Sequence, residues 1–91
     1  MSKDVSFRNR DRFLQLGITI ATLRKIRGLS QEKLAEEAGI SRSLLSAIEA
    51  PGEAKSFSLE VFFNLADALR VDPADLINAS VLPDHLLTKK P

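Results

Sequence analysis

Apolar positions along this chain recur at helical spacing and nowhere alternate as a strand would. Leu16, Ile20 and Leu23 fall at i, i+4 and i+7 with Phe13 on the same side, so a first helix is expected over residues 11–27. Gly28 supplies its C-terminal stop. Ser30 then reads as an N-cap, with Gln31 and Glu32 in the first turn of a two-turn helix that turns Leu34, Ala35 and Ala38 inward. Gly39 follows where a left-handed residue would end that helix. Ser41 reads as a second N-cap, opening a short helix over 42–50 with Leu45 and Ile48 as its inward pair. Pro51-Gly52-Glu53 breaks the chain into a loop over 51–57. Ser58 caps a fourth helix to about residue 70, with Leu59, Phe62, Leu65, Ala66 and Leu69 inward. Asp72-Pro73 opens a fifth, since proline suits a first helical position and Asp75 can bond back to the cap; it carries Leu76 and Ile77.

The expected architecture is therefore all-α, a five-helix bundle over residues 11–78. Residues 1–10 are polar and read as a flexible arm. Residues 79–91 form a tail with Val81, Leu82, Leu86 and Leu87, and a short sixth helix can follow Pro83.

With 91 residues there is room for one domain. An apolar fraction of 44% is that of a globular chain. The absence of cysteine removes disulfides, thiolate metal sites and a cysteine nucleophile, and a single histidine, His85, argues against a histidine cluster. No metal or cofactor is implied, and no nucleophile–base set suggests an enzyme. No apolar run reaches the ~18 residues of a membrane span, and the N-terminus lacks a secretory h-region, so a cytoplasmic protein is expected. The net charge of +1 hides an asymmetry: residues 1–42 hold nine Lys/Arg against five Asp/Glu, and residues 43–88 two against seven. A basic half points to a polyanion partner more than the total does.

Residues 31–50 carry the functional information. A two-turn helix, a tight turn at Gly39-Ile40-Ser41 and a second two-turn helix make a helix-turn-helix. Ala35 and Ala38 permit close approach of the two helices, Gly39 allows the sharp turn, and Ile40 plugs the angle from inside. On spacing alone, an ordinary helix pair in a small bundle fits as well.

The run Leu23-Arg24-Lys25-Ile26-Arg27-Gly28-Leu29-Ser30-Gln31-Glu32-Lys33-Leu34-Ala35-Glu36-Glu37-Ala38-Gly39-Ile40-Ser41 closely resembles the XRE family, the phage Cro/C1 repressor type of helix-turn-helix. Ser46-Ala47-Ile48-Glu49 and Leu65-Ala66-Asp67-Ala68-Leu69-Arg70-Val71 continue the likeness, which covers residues 16–78. The resemblance implies a five-helix, lambda-repressor-like domain that binds double-stranded DNA, usually as a homodimer on a palindromic operator.

It also implies roles. Gln31 matches a glutamine that clamps the DNA backbone and braces the base-reading side chain. The third helix would enter the major groove N-terminus first. Arg42, Ser43 and Ala47 stand at base-reading positions: Arg42 can pair with guanine O6 and N7, Ser43 can bond either base type, and Ala47 offers a methyl to thymine. Alternatives are a phosphate contact or solvated charge for Arg42, local capping for Ser43 and helix packing for Ala47. Lys33, Arg27 and Lys55 are candidate phosphate contacts or plain surface charges. Arg24 and Glu49 match a largely buried ion pair tying the reading helix to the scaffold.

Two departures stand out. Ala50-Pro51-Gly52-Glu53 replaces the usual polar residue and glycine, and Leu44 sits where the family is commonly polar or aromatic. Phe63 lies off the inward face of the fourth helix, and Val81, Leu82, Leu86 and Leu87 exceed the needs of a five-helix core; a dimer interface is therefore expected on the fifth helix and the tail, through Leu76, Ile77, Leu82 and Leu86 with Phe63 nearby, though the tail could instead fold back over its own domain. A regulator, most simply a repressor, is the first reading. The alternative is an antitoxin-type interaction module that holds a toxin and autoregulates its operon.

Overall fold

The computed structural model describes residues 7–80, and among them lie five α-helices: α1 (Phe7–Ile26), α2 (Gln31–Ala38), α3 (Arg42–Glu49), α4 (Leu59–Leu69) and α5 (Pro73–Ala79). Four begin on the expected side-chain caps. Ser30, Ser41 and Ser58 each accept from the main-chain N–H three residues on, at 3.0, 3.0 and 3.1 Å, and Asp72 accepts from Ala74 at 2.8 Å. Each bond satisfies one of the orphan donors of a helix start. α1 differs from expectation. It starts at Phe7, four residues early, so residues 7–10 of the expected arm are helical; residues 1–6 lie outside the described part.

Three helices end in the same way. After α1, Gly28 is left-handed (φ 75°), its N–H donates to Lys25 at 3.0 Å, and the N–H of Leu29 donates to Arg24 at 3.0 Å. After α2, Gly39 (φ 70°) and Ile40 repeat the pattern onto Glu36 and Ala35. After α4, Arg70 and Val71 repeat it onto Asp67 and Ala66. These are Schellman closures, in which a left-handed residue turns the chain and the next apolar residue folds back. Two use glycine. The third holds Arg70 at φ 62°, a conformation that costs an L-residue roughly 1–2 kcal/mol.

The core is made of Ile20, Leu34, Ala35, Ala38, Leu45, Ile48, Phe62, Leu65, Ala66, Leu69 and Leu76. Leu16, Leu23, Leu29, Ile40, Leu44 and Phe57 pack around it. Phe57, in the loop before α4, meets Phe13 of α1 edge-on with ring centroids 5.4 Å apart. Leu44 is thus part of the packing shell rather than an outward residue. Leu59 overturns its expectation: at the first position of α4 it is 69% exposed, and the core contacts of that helix begin with Val61 and Phe62. Leu76 overturns another. It is 1% exposed inside the monomer, so it has no surface to offer a partner.

α1 and α3 approach so closely that Gly17 has no room for a side chain. A Cβ there would land on the main-chain carbonyl oxygen of Ile48. Gly17 therefore sets the distance between the scaffold helix and α3.

Candidate nucleic-acid interface

α3 presents two faces. Leu45 and Ile48 are buried, Leu44 is half-buried, and Arg42, Ser43 and Ser46 are exposed. Ala47 is half-buried, at the edge of the outward arc. Ser41 takes the capping bond, so the Ser43 hydroxyl is not needed for it. The first turn of α3 holds no acidic residue. Its positive N-terminal end is therefore not neutralised locally, and Arg42 adds a full charge at the same place.

A three-helix clamp holds this face in position. Arg24 of α1 grips Glu49 of α3 in a fork: Nε donates to Oε2 at 2.8 Å and Nη2 to Oε1 at 3.0 Å. Arg24 Nη1 donates to the carbonyl of Leu29 at 2.8 Å. Gln31, the first residue of α2, donates from Nε2 to the same Glu49 Oε1 at 2.9 Å. The pair is largely buried, with side-chain exposures of 12% for Arg24 and 5% for Glu49. The hydrogen bonds to Glu49 hold the Arg24 guanidinium pKa above its ordinary value, against the opposing effect of burial; the carboxylate charge adds to the rise. One carboxylate thus receives donors from two other helices, and the ends of α2 and α3 are fixed relative to α1.

The clamp gives Gln31 a defined task. One amide hydrogen is taken by Glu49, and the nitrogen must face the carboxylate because the amide oxygen would repel it. The second amide hydrogen and the main-chain N–H at the first position of α2 are donors suited to an outside acceptor.

The three proposed backbone cations separate. Lys33 is exposed and lies 3.8 Å from Glu37 one turn on, a pairing of little energetic weight. Lys55 is exposed in the loop before α4. Arg27 is engaged elsewhere: its Nε donates to the carbonyl of Leu69 at 2.8 Å and its Nη2 to that of Arg70 at 3.2 Å. It caps the C-terminal end of α4 at the strained Arg70 turn, where a cation also meets the negative end of the helix dipole. That task separates Arg27 from the free phosphate-contact candidates, and no local signal around residue 27 announces a partner more than forty positions away. Gly17, which no motif singles out, belongs to the site indirectly because it seats α3 against α1.

Of the residues expected at a dimer interface, Phe63 (46% exposed) on α4 and Ile77 (45% exposed) on α5 are available. Leu76 is not, and Leu82 and Leu86 lie outside the described residues. Among the described residues no cluster of His, Cys, Asp or Glu could hold a metal, and no helix is long and apolar enough to cross a membrane.

The family model described as a helix-turn-helix domain matches residues 15–78. This chain belongs to that family. The match spans the clamp, α2 and α3, and the resemblance to the Cro/C1 type read from residues 23–41 stands. Among solved structures, the restriction-modification controller protein C.AhdI from Aeromonas hydrophila is 34% identical, over 70% of this chain and 94% of its own, with a TM-score of 0.65. The clp gene regulator ClgR from C. glutamicum is 26% identical, over 76% of this chain and 87% of its own, with a TM-score of 0.68. A hypothetical transcription factor, NHTF, from Neisseria is 25% identical over 98% and 96%, also at 0.68. Among curated proteins nothing matches.

Proposed function

We infer that this protein is a sequence-specific DNA-binding transcriptional regulator, acting as a homodimeric repressor on a palindromic operator through the major groove. The observation that carries this reading is the exposed, acid-free start of α3, bearing Arg42 and Ser43 and locked to the scaffold by Arg24, Glu49 and Gln31. A reading helix must be held rigidly, because base-edge hydrogen bonds tolerate little displacement. In this reading Arg42 pairs with a guanine and Ser43 and Ala47 line the groove. Gln31, Lys33 and Lys55 meet phosphates, which hold the register without reading sequence. The family membership and the regulators among the structural neighbours support it. The toxin-holding alternative draws no support from the same comparisons.

Selection of bound duplexes from random DNA by the full chain tests the function. The expected product is an inverted repeat with half-site centres about one helical turn, ~34 Å, apart. Cloned before a reporter, that repeat should lower expression when the protein is present. Recovery of no enriched sequence would overturn the reading, and enrichment of a single unrepeated site would remove the dimer from it.

A further inference from the structure

Among the serines within the helices and at their caps, two stand apart. Ser30, Ser41 and Ser58 accept from main-chain N–H groups at helix starts, and Ser80 donates to the carbonyl of Leu76 at 2.8 Å. Ser43 and Ser46 cap nothing, and both are exposed on the same short helix as Arg42. At about 100° per residue, Ser46 lies roughly 40° around α3 from Arg42 and Ser43 roughly 100°. Ala47 lies at roughly 140°, against the arc that begins with Leu44. Ser46 and Ser43 thus straddle the middle of the outward face, and half-buried Ala47 sits at its margin.

From this placement we propose that Ser46 is a base-contacting, specificity-determining residue of α3, more central to readout than Ala47. The inference rests on the DNA-binding reading above. Beyond Arg42 the outward face of α3 carries only short side chains, Ser43 and Ser46 with Ala47 at its margin, so nothing long holds the helix away from the floor of the groove. A serine hydroxyl is both donor and acceptor and can bond an edge of any base. Ser46 is one turn, about 6 Å, along the axis from Arg42, and base pairs repeat every ~3.4 Å. Its base pair therefore lies one or two steps from the guanine read by Arg42.

The test is a base-by-base substitution scan of the selected operator with the wild type and with Arg42→Ala, Ser43→Ala and Ser46→Ala. Ser46→Ala sits at an exposed helical position where alanine is the better helix former, so the fold should persist, which circular dichroism verifies. The expected result is a loss of discrimination of roughly 5- to 10-fold, the scale of one hydrogen bond, at one base pair per half-site. That pair should lie one or two steps from the one flattened in Arg42→Ala, with preferences elsewhere unchanged. A Ser46→Ala protein that keeps every wild-type preference, or that binds all sequences more weakly by one common factor, would overturn the proposal while leaving the DNA-binding function intact. A wild-type protein that enriches no sequence would overturn both.

Discussion

Arg24 and Glu49 show how much a single side chain can decide in a domain this small. Each is largely withdrawn from water, and Glu49 is shared by donors from α1 and α2. Arg24→Ala should therefore destabilise the fold by about 3–5 kcal/mol, because the carboxylate stays buried without its cation. Urea unfolding measures this, and a midpoint within error of wild type would mean that water replaces the guanidinium freely. The raised pKa of Arg24 fixes the sign of its pH dependence. A basic group whose folded pKa lies above its unfolded value stabilises fully below the unfolded pKa and loses that contribution as pH rises through the folded one. The loss belongs to strong alkali, so the Arg24 contribution should stay flat across neutral pH. Arg70 offers the opposite kind of change. Its left-handed φ of 62° is one that glycine adopts freely, so Arg70→Gly should raise stability by about 1 kcal/mol, seen as a higher melting temperature. The clamp partners follow from the family resemblance, since the likeness supplies both positions. The Arg70 strain does not: the sequence ends the fourth helix at about residue 70, but no glycine stands there to announce a left-handed turn.

Elements here are positioned by their ends and by one close crossing. The caps of α2 to α5 could be read directly, because serine and aspartate before an apolar-periodic run satisfy orphan donors whatever the tertiary context. The start of α1 could not, since residues 7–10 are mostly polar and extend the apolar periodicity by a single residue, Phe7. Nor could the α1–α3 crossing, because a glycine inside a helical pattern looks like a tolerated weakness until a neighbour's backbone is found against it. Gly17→Ala makes the distinction measurable. Propensity alone would favour alanine by about 1 kcal/mol, but the new Cβ meets the Ile48 carbonyl, main chain that cannot swing aside. The expected outcome is a net loss of about 1–3 kcal/mol, the usual scale of overpacking. It should be accompanied by weaker binding to every DNA sequence as α3 is displaced. Gly17→Ala melting at or above wild type would show that the two helices separate without cost. Arg27→Ala should do the reverse in function: a lower melting temperature from the uncapped α4, with the salt dependence of DNA affinity unchanged. A shallower salt slope would return Arg27 to the phosphate contacts.

At the scale of the whole molecule, the proposed homodimer sets a requirement on how two copies would meet. Two half-sites one helical turn apart need two reading helices related by a two-fold axis, and the surface that joins them must be the same on both copies. Sequence reasoning named Leu76 and Ile77 together, and only packing separates them: α5 lies against α1 and α4, which takes Leu76 into the core and turns Ile77 outward. A helix of seven residues has too few turns for periodicity to choose between adjacent apolar positions. That leaves Phe63 and Ile77 as the described residues of the expected interface. Both are large, apolar and nearly half exposed, on the two helices that follow the reading unit in the chain. Burying them against a partner would gain the hydrophobic term, whereas a carboxylate at each position would be buried there without a cation. The double substitution Phe63→Glu and Ile77→Glu should therefore convert a dimer into a monomer that keeps its helical circular dichroism, since neither side chain belongs to the core. Sedimentation velocity at tens of micromolar reads the mass, and the same protein should lose affinity for the double site while retaining weak binding to an isolated half-site. A wild-type monomer at that concentration, or a double variant that still sediments as a dimer, would move the interface away from α4 and α5.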